Sequence, residues 1–222
     1  MLNVKVLSGS MIAVLLAIGS YLGAISRPDA AVAHVGTKAL REVAKVAQKT
    51  PAASLTISER GIGAAKLGMT FGELKKALGS TAQFKESPFK PGEGFEAVAV
   101  SQSGQVQYLI IYPFRTKLKD ADGIEDLMTD NPNYKTVEGV GPGMTLKQAE
   151  AIYGKATLGY NTDYESEEVL VFANQPNNKK ISFAPKAEGR QYAGVYGASQ
   201  GIVHETNKYQ PNAVIRSVMV RK

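Results

Sequence analysis

The feature that most constrains the fold of this chain is a segment that occurs twice. Residues 66–79 (KLGMTFGELKKALG) and 141–154 (GPGMTLKQAEAIYG) align without a gap, at an offset of 75 residues. Glycine, methionine and threonine coincide near the start, and glycine coincides at the end. The GIG of residues 61–63 lies upstream of the first copy, and a similar GVG at residues 139–141 leads into the second. Repetition at a fixed offset predicts two copies of one supersecondary unit.

Each copy carries the signals of a short, capped helix. Thr70 and Thr145 stand where a side-chain hydroxyl can accept a hydrogen bond from the first backbone N–H groups of a helix. Glu73 and Gln148, three residues later, complete a reciprocal capping box. The closing glycine of each copy stands where a left-handed residue ends a helix. Apolar side chains recur at helical spacing, at Phe71, Leu74 and Leu78 in the first copy and at Leu146, Ala149 and Tyr153 in the second.

Segments typical of β-strands follow each predicted helix. Clusters of turn residues at 101–104 and 174–178 separate pairs of these segments, which indicates hairpins. A polar stretch over residues 115–136 joins the two copies. The predicted strands are residues 83–87, 95–100, 105–112, 168–173, 179–183 and 214–221.

These patterns predict an α+β fold of two tandem units after an N-terminal apolar helix. Each unit would pack short helices on its own small antiparallel sheet. We expect a signal peptide or membrane anchor in residues 1–33 and a linker with a short helix in residues 34–57. The first helix-sheet unit with its connection would take residues 58–136, and the second unit residues 137–222.

The glycine–Met-Thr–helix–glycine pattern of both copies resembles the SmpA/OmlA (BamE-like) unit of small bacterial envelope proteins. Its tandem arrangement resembles β-lactamase-inhibitory-protein-like folds and uncharacterised exported bacterial proteins. The resemblance covers about residues 58–113 and 137–221. It implies two helices and a three- or four-stranded antiparallel sheet in each unit, and a role in protein contacts. BamE-like lipoproteins need a cysteine for acylation and this chain has none, so the resemblance does not extend to a lipid anchor.

The first 33 residues have the three parts of a secretory signal peptide. Lys5 precedes an uncharged, apolar run over residues 6–25, and residues 31–33 (AVA) offer a cleavage site before His34. A run of ~20 apolar residues is also long enough to span a bilayer as a retained anchor. We therefore expect export to the periplasm or the exterior, with cleavage and retention both open.

The basic balance of the chain limits the classes of partner. A formal net charge of +6 suits an acidic partner. The lysines and arginines are scattered, and neither a run of four basic residues nor a basic stripe with interleaved aromatic residues occurs. We interpret the charge as a solvated surface and expect no nucleic-acid partner.

The chain offers few side chains for catalysis or metal binding. It has no cysteine and two histidines, His34 and His204, and neither histidine has a second ligand at metal-binding spacing. Ser199 is close to His204 in sequence but lacks the strand–turn–helix setting that exposes a catalytic serine. The three glutamates within residues 165–168 fit a solvated strand start. We therefore predict no catalytic, cofactor-binding or metal-binding residue, no cofactor and no small-molecule ligand.

A long insertion delays the final predicted strand of the second unit. Residues 185–212 hold Tyr192, Tyr196 and Tyr209 among several glycines, whereas a hairpin loop needs only ~2–5 residues. Tyrosine offers a broad amphipathic contact with little rotamer entropy to lose, and glycine lets a segment adapt. We predict that these three tyrosines contact the partner. A mobile segment without a partner is the alternative.

Together these features predict an exported, non-enzymatic binding or assembly module of a bacterial cell envelope that contacts another envelope protein. An uncleaved N-terminal segment would add membrane contact through residues 6–25. Two alternatives stay open: an envelope hydrolase whose site is assembled from sequence-distant residues, and a membrane-tethered structural spacer. The few catalytic side chains favour binding over hydrolysis, and the insertion favours binding over a spacer.

Export can be tested with a fusion of residues 1–50 to a phosphatase that is active only outside the cytoplasm. The fusion should be active because residues 1–33 direct the chain across the inner membrane. A fusion that lacks residues 1–33 is the control and should be inactive. An inactive full fusion would contradict export, and N-terminal sequencing separates cleavage before His34 from a retained anchor.

Overall fold

The part of the chain described by the computed structural model comprises residues 55–89, 94–163, 167–177, 179–198 and 201–222. All of these residues belong to one compact region, Pro51–Lys222, which contains both repeated segments. The apolar N-terminal segment over residues 1–33 lies outside the described residues, as does most of the predicted linker over residues 34–57. Within the described part, no helix is long and apolar enough to cross a membrane.

Strands dominate the described secondary structure, which contains two short helices and thirteen strands. The helices are α1 (Phe71–Leu78) and α2 (Leu146–Tyr153), and a 3-10 turn follows α1 at Gly79–Thr81. The strands before α2 are β1 (Thr56–Ser58), β2 (Gly61–Ile62), β3 (Ala65–Lys66), β4 (Ala82–Glu86), β5 (Phe95–Gln102), β6 (Gln105–Pro113), β7 (Asp126–Thr129) and β8 (Lys135–Thr136). The strands after α2 are β9 (Ala156–Asn161), β10 (Val169–Phe172), β11 (Ile181–Lys186), β12 (Val203–Thr206) and β13 (Val214–Arg221).

Both repeated segments begin a helix, as predicted. The Thr70 hydroxyl accepts a hydrogen bond from the Glu73 N–H at 3.2 Å, and the Glu73 carboxylate accepts one from the Thr70 N–H at 2.7 Å. Thr145 and Gln148 form the same reciprocal pair at 3.2 and 3.1 Å. The predicted apolar stripe of each helix is buried. Each capping box therefore satisfies two backbone donors that the start of a helix would leave without a partner.

The glycine and methionine before each helix form backbone hydrogen bonds with an isoleucine at or just before the last strand of the same unit. The Met69 carbonyl oxygen accepts a hydrogen bond from the Ile124 N–H at 2.8 Å, and the Met144 carbonyl oxygen accepts one from the Ile215 N–H at 2.8 Å. The glycine before each methionine donates back to the same isoleucine, at 2.7 and 2.8 Å. These two glycines have φ angles of +84° and +81°, a region that side chains disfavour. The shared Gly-Met-Thr sequence therefore forms the same pair of backbone hydrogen bonds in both units.

One nine-stranded antiparallel sheet contains the strands of both units, in the order β12-β9-β10-β11-β13-β7-β6-β5-β4. Strands β4 to β7 form one meander, and β9, β10, β11 and β13 form a second. The last strands of the two meanders, β7 and β13, pair with each other, with Leu127 opposite Val220 and Met128 opposite Met219. A smaller sheet of order β3-β2-β1-β8 brings together the segments before the two helices.

The predicted α+β fold of two units with separate small sheets is wrong. The described chain is mostly β, and its two short helices pack on one shared sheet. The predicted connection over residues 115–136 contains β7 and β8, and the sequence patterns do not predict β9 or β12. Strand β7 (DLMT) is very short and β9 (ATLGYN) mixes glycine with polar residues, so neither shows clear alternation. Their strand geometry comes from pairing with neighbours on both sides.

The other predicted strands are present, with ends that differ by a few residues. The predicted strand over residues 214–221 is β13. The remaining predictions correspond, in chain order, to β4, β5, β6, β10 and β11. These strands were predictable because their apolar runs lie between clusters of turn residues.

The apolar core lies between the helices and one face of the large sheet. The helix stripes join strand side chains in a single buried cluster, in which Tyr108, Tyr134, Phe172 and Phe183 are among the largest members. Fully burying an apolar side chain of this size stabilises a fold by roughly 1.5–3 kcal/mol. The opposite face of the sheet carries a smaller cluster, formed by Ala97, Leu109, Ile111 and Met128 with Ala99 and Met219 packed against it.

Replacing Thr70 or Thr145 with alanine should each lower the free energy of unfolding by ~1 kcal/mol, the usual contribution of an N-cap side chain. Thr70→Ser and Thr145→Ser keep the hydroxyl and are the matched controls, with a smaller expected loss. Urea unfolding of the full chain measures the differences. Equal losses for alanine and serine would contradict the capping role. A loss at only one of the two threonines would contradict the equivalence of the two helix starts.

Candidate functional site

A cleft opens at the end of the large sheet where β9 and β11 end and β10 and β13 begin. Its volume is about 680 Å³, within the ~300–1,000 Å³ that is usual for ligand pockets. Strand ends and the insertion over residues 185–212 both contribute to its lining. We call it the tyrosine cleft and define it by Tyr160, Glu168, Lys186, Arg190, Tyr192 and Arg216.

Glu168 fixes the insertion to the sheet. This residue is only 7% exposed, and its carboxylate accepts hydrogen bonds from the Ala193 N–H at 2.7 Å and the Gly194 N–H at 2.7 Å. The Tyr196 hydroxyl donates a third hydrogen bond at 2.6 Å. A Cβ atom at Gly194 would lie 2.6 Å from the Tyr196 ring, so this close approach requires glycine. Because a buried carboxylate is costly unless it is hydrogen-bonded, the three donors anchor residues 193–196, directly after Arg190, Gln191 and Tyr192, which form a wall of the cleft.

Tyr160 is the centre of an aromatic stack. The Tyr192 ring lies parallel to it at a centroid distance of 4.4 Å, and the His204 ring lies parallel to it at 4.6 Å. Two rings this close and parallel to a third must cover its opposite faces, so the order is Tyr192–Tyr160–His204. Tyr196 packs edge-on against Tyr160 at 4.7 Å. The stack holds Tyr192 in place at the cleft surface.

Arg216 is the extra residue of a β-bulge. Ile215 and Ser217 both pair with residues of β11, and Arg216 between them has no opposite residue. A bulge bends the strand locally and re-aims a side chain. The Arg216 guanidinium donates to the Glu167 carboxylate at 2.6 Å, at the rim of the cleft.

Two further cationic side chains line the cleft. Lys186 and Arg190 form no ion pair with any of the described residues. The two carboxylates of the lining are engaged, because Glu167 binds Arg216 and Glu168 accepts three hydrogen bonds. The lining therefore holds three cations against two carboxylates, and Lys186 and Arg190 are the charged groups that a ligand can pair with.

The structure brings two of the three predicted contact residues together. The Tyr192 and Tyr196 rings lie 5.8 Å apart at an angle of 80°. Tyr209 lies elsewhere, where its hydroxyl donates to Glu150 of α2 at 2.7 Å. Burial, and then the hydrogen bond to Glu150, raise the pKa of Tyr209 to about 12. Tyr192 lines the cleft, Tyr196 supports its wall and Tyr209 fastens the insertion to α2, so contact of all three with a partner stays a prediction.

The sequence patterns did not predict the roles of several residues of the site. Glu168 reads as part of a solvated strand start but is buried, since its donors come from a distant segment. His204 reads as a solvated loop residue but lies in β12, stacked on Tyr160. Tyr160 belongs to the unpredicted strand β9. The one local signal was Arg216, a charged residue in the interior of a mostly apolar predicted strand (VIRSVMVR).

The Tyr196 phenol of the site acts as a hydrogen-bond donor. Burial, followed by the hydrogen bond to Glu168, raises the pKa of Tyr196 well above its ordinary value. Its hydroxyl therefore stays protonated at neutral pH and continues to donate to the carboxylate. Within the described ranges, no group of three or more His, Asp or Glu side chains is arranged to hold a metal ion.

An apolar groove adjoins the tyrosine cleft on the sheet face opposite the helices. Its volume is about 300 Å³. Phe89 and Val106 are 38% and 40% exposed in its wall. Arg216 lines both cavities and marks their junction. We call this cavity the apolar groove and define it by Pro88, Phe89, Val106, Leu109, Met128 and Ser217.

Comparisons with known proteins give little further information. No protein-family model matches the chain, and no curated protein matches it either. Among solved structures, the chain is similar to the uncharacterized protein yfeY from Escherichia coli, with 13% sequence identity and a TM-score of 0.46. The match covers 75% of this chain and 99% of that chain. A similarity at this level carries no argument about fold or function, and the resemblance to BamE-like units stays a prediction.

Glu168→Gln should lower the free energy of unfolding by about 1–3 kcal/mol. Glutamine places an NH₂ donor where one carboxylate oxygen now accepts, so at least one buried N–H of residues 193–194 loses its acceptor. Glu205→Gln, at an exposed position of β12, is the matched control and should have almost no effect. Urea unfolding of the full chain measures both variants. Equal stability of the two variants would contradict the role of Glu168 in fixing the insertion.

Proposed function

We propose that this chain is an exported, non-enzymatic binding module of a bacterial cell envelope, and that it contacts another envelope protein through the tyrosine cleft. One observation carries the proposal. The buried Glu168 carboxylate ties residues 193–196 to the sheet with three hydrogen bonds. These bonds fix the insertion directly after Arg190, Gln191 and Tyr192, which form a wall of the cleft, and a concave surface is the shape that a binding site requires.

The order of this wall supports binding. A surface that is already fixed loses less conformational entropy when a partner arrives. The stack of Tyr192 on Tyr160, at 4.4 Å, restrains both rings in advance. Rigid tyrosines are also frequent among the residues that contribute most to protein interfaces.

The charge of the cleft supports a partner that carries negative charge. Lys186 and Arg190 line the cleft without an ion pair in the described part of the chain. Complementary charges speed association and suppress wrong partners. The net charge of +6 on the whole chain acts in the same direction.

Binding has more support at this site than hydrolysis or a spacer role. Glu168 and His204 are the side chains of the site best suited to acid–base work, and both are engaged in holding the fold. A general base must instead reach a proton of the substrate. A spacer gives no reason for a cleft with a charged lining. The proposal accordingly includes no cofactor, no small-molecule ligand and no nucleic acid.

The location in the envelope comes from the sequence of residues 1–33, which lie outside the described residues. A secreted module would meet its partner in the periplasm or the exterior. If residues 6–25 are retained as an anchor, the same module would work at the membrane surface.

A photo-crosslinking amino acid at position 192 of the full chain tests the proposal in cells that produce it. Because Tyr192 lines the cleft, this variant should form an adduct with a distinct protein. The same amino acid at position 137 is the matched control, since Val137 is 80% exposed and does not line the cleft. Joint replacement of Lys186 and Arg190 with alanine should remove the adduct from position 192.

Two outcomes would contradict this function. The first is an adduct that forms equally from positions 192 and 137, or that survives the loss of Lys186 and Arg190. The second is hydrolysis of an ester or glycan by the full chain that is lost in Glu168→Gln. The second result would favour the hydrolase alternative.

A further inference from the structure

The tyrosine cleft and the apolar groove meet at one side chain. Arg216 lines both cavities, and its position in a β-bulge places it where the end of the sheet turns into the face opposite the helices. Its side chain keeps 32% of its surface exposed although it binds Glu167. A guanidinium has five N–H donors, so it can bind a second acceptor while holding the first. The two cavities therefore adjoin at Arg216, with a part that carries cations on one side and an apolar part on the other.

We propose that the cleft and the groove form one two-part site that binds an extended peptide segment with an acidic residue near an apolar residue. The acidic side chain would lie among Lys186, Arg190 and Arg216, and the apolar side chain would fill the groove. This inference rests on the proposed function and names the chemistry of the partner. The segment belongs to a partner protein rather than to this chain.

The cationic part fits a carboxylate. Lys186 and Arg190 line the cleft without an ion pair among the residues described. Hydrogen bonds between a guanidinium and a carboxylate are charge-assisted and are frequently bidentate, which fixes the geometry as well as the affinity. Lys186 and Arg190 are both exposed, so a carboxylate of the partner can reach them from solvent.

The apolar part fits one large side chain. Its volume of about 300 Å³ is roughly ten times the ~30 Å³ that a water molecule occupies in the liquid. Phe89, Leu109 and Met128 line it, and methionine adapts its shape to different apolar groups. Phe89 and Val106 remain more than a third exposed, so burial of a partner side chain would remove apolar surface of both molecules from water.

A peptide matches the whole surface better than a lipid or a glycan. Thr162 and Gln191 line the cleft, and while their side chains donate to Ile202 and Tyr192, the hydroxyl and amide oxygens can also accept from a peptide N–H. A fatty acid could place its acyl chain in the groove and its carboxylate among the cations, but it has no N–H donor for the oxygens of these polar side chains. An acidic glycan could occupy the cleft but has no apolar side chain for the groove. A peptide carries backbone amides, a carboxylate and an apolar side chain in one chain.

Asp130 makes the order of the two peptide residues matter. It lines the groove, as Arg216 does. An acidic residue in the groove would therefore meet a like charge that only Arg216 offsets, whereas in the cleft the cations outnumber the carboxylates. Such a repulsive element against the wrong arrangement is a common source of specificity.

Fluorescence anisotropy with labelled synthetic peptides and the full chain tests the two-part site. A peptide series with one aspartate and one leucine at varied separations, in a serine–glycine background, identifies the best-binding separation. Replacement of the aspartate with lysine, or of the leucine with serine, should each weaken binding at least about tenfold, as loss of an interface anchor does.

Two pairs of protein variants assign each preference to its part of the site. Arg190→Ala should reduce the preference for aspartate over lysine by about tenfold and leave the leucine preference intact. Lys147→Ala, on the exposed side of α2, is its matched control. Val106→Ser should abolish the preference for leucine over serine and leave the aspartate preference intact. Val137→Ser, at a residue 80% exposed, is the matched control, and thermal unfolding verifies that all four variants are folded.

The outcomes separate this inference from the proposed function. If peptides bind and Arg190→Ala weakens them, but Val106→Ser keeps the leucine preference, the two-part site is overturned and the cleft remains a binding surface. If no peptide binds, the inference is overturned, and crosslinking from position 192 decides whether the proposed function falls as well. The chain could instead bind a fatty acid, phosphatidylglycerol vesicles or an acidic oligosaccharide and no peptide. If Val106→Ser or Arg190→Ala weakens that binding, the peptide inference is also overturned. A dimer that Val106→Ser dissociates would assign the groove to a second copy and overturn it likewise.

Discussion

The pairing of β7 with β13 is the interaction on which the rest of the structure depends. Each strand is the last of its own meander, and without the other it would expose an edge of unpaired backbone groups. The pairing places Leu127 opposite Val220, and both side chains are fully buried. Because the two equivalent strands run antiparallel, they join the units much as the same surface joins two copies in a twofold dimer. The result is one sheet with one large core instead of two small sheets with marginal cores.

Each unit has a cavity at the corresponding ends of its strands, and the two cavities are separate. Their charged residues differ. The end of the first unit carries the carboxylates of Asp122, Glu125 and Asp126 in a cavity with apolar neighbours. The end of the second unit carries the cations of the tyrosine cleft and the insertion that Glu168 holds. The repeat therefore supplies the scaffold, and the differences between its copies supply the site. A function inferred from the repeated letters alone would miss the residues that make the cleft.

What could be predicted from the sequence follows the range of the interactions involved. Thr70 and Thr145 bond with groups three residues away, so local letters suffice to predict both helix starts. Strand β7 depends on partners in β6 and β13, and its four residues do not specify a strand by themselves. Glu168 is buried because donors from residues 193–196 surround it. A glutamate at a strand start gives no sign of such distant partners, so the tyrosines of the insertion were predictable as candidates but the cleft was not.

The central claim is that the insertion is an ordered wall of a binding cleft before any partner is present. Amide hydrogen exchange of the full chain, without a ligand, tests this claim most directly. The Ala193 and Gly194 N–H groups donate to the buried Glu168 carboxylate, so they should exchange far more slowly than the amides of an unstructured peptide. Their protection should approach that of the amides in the paired strand β6. Exchange of both amides at the unprotected rate, with β6 still protected, would show that the wall is not formed and would contradict the account.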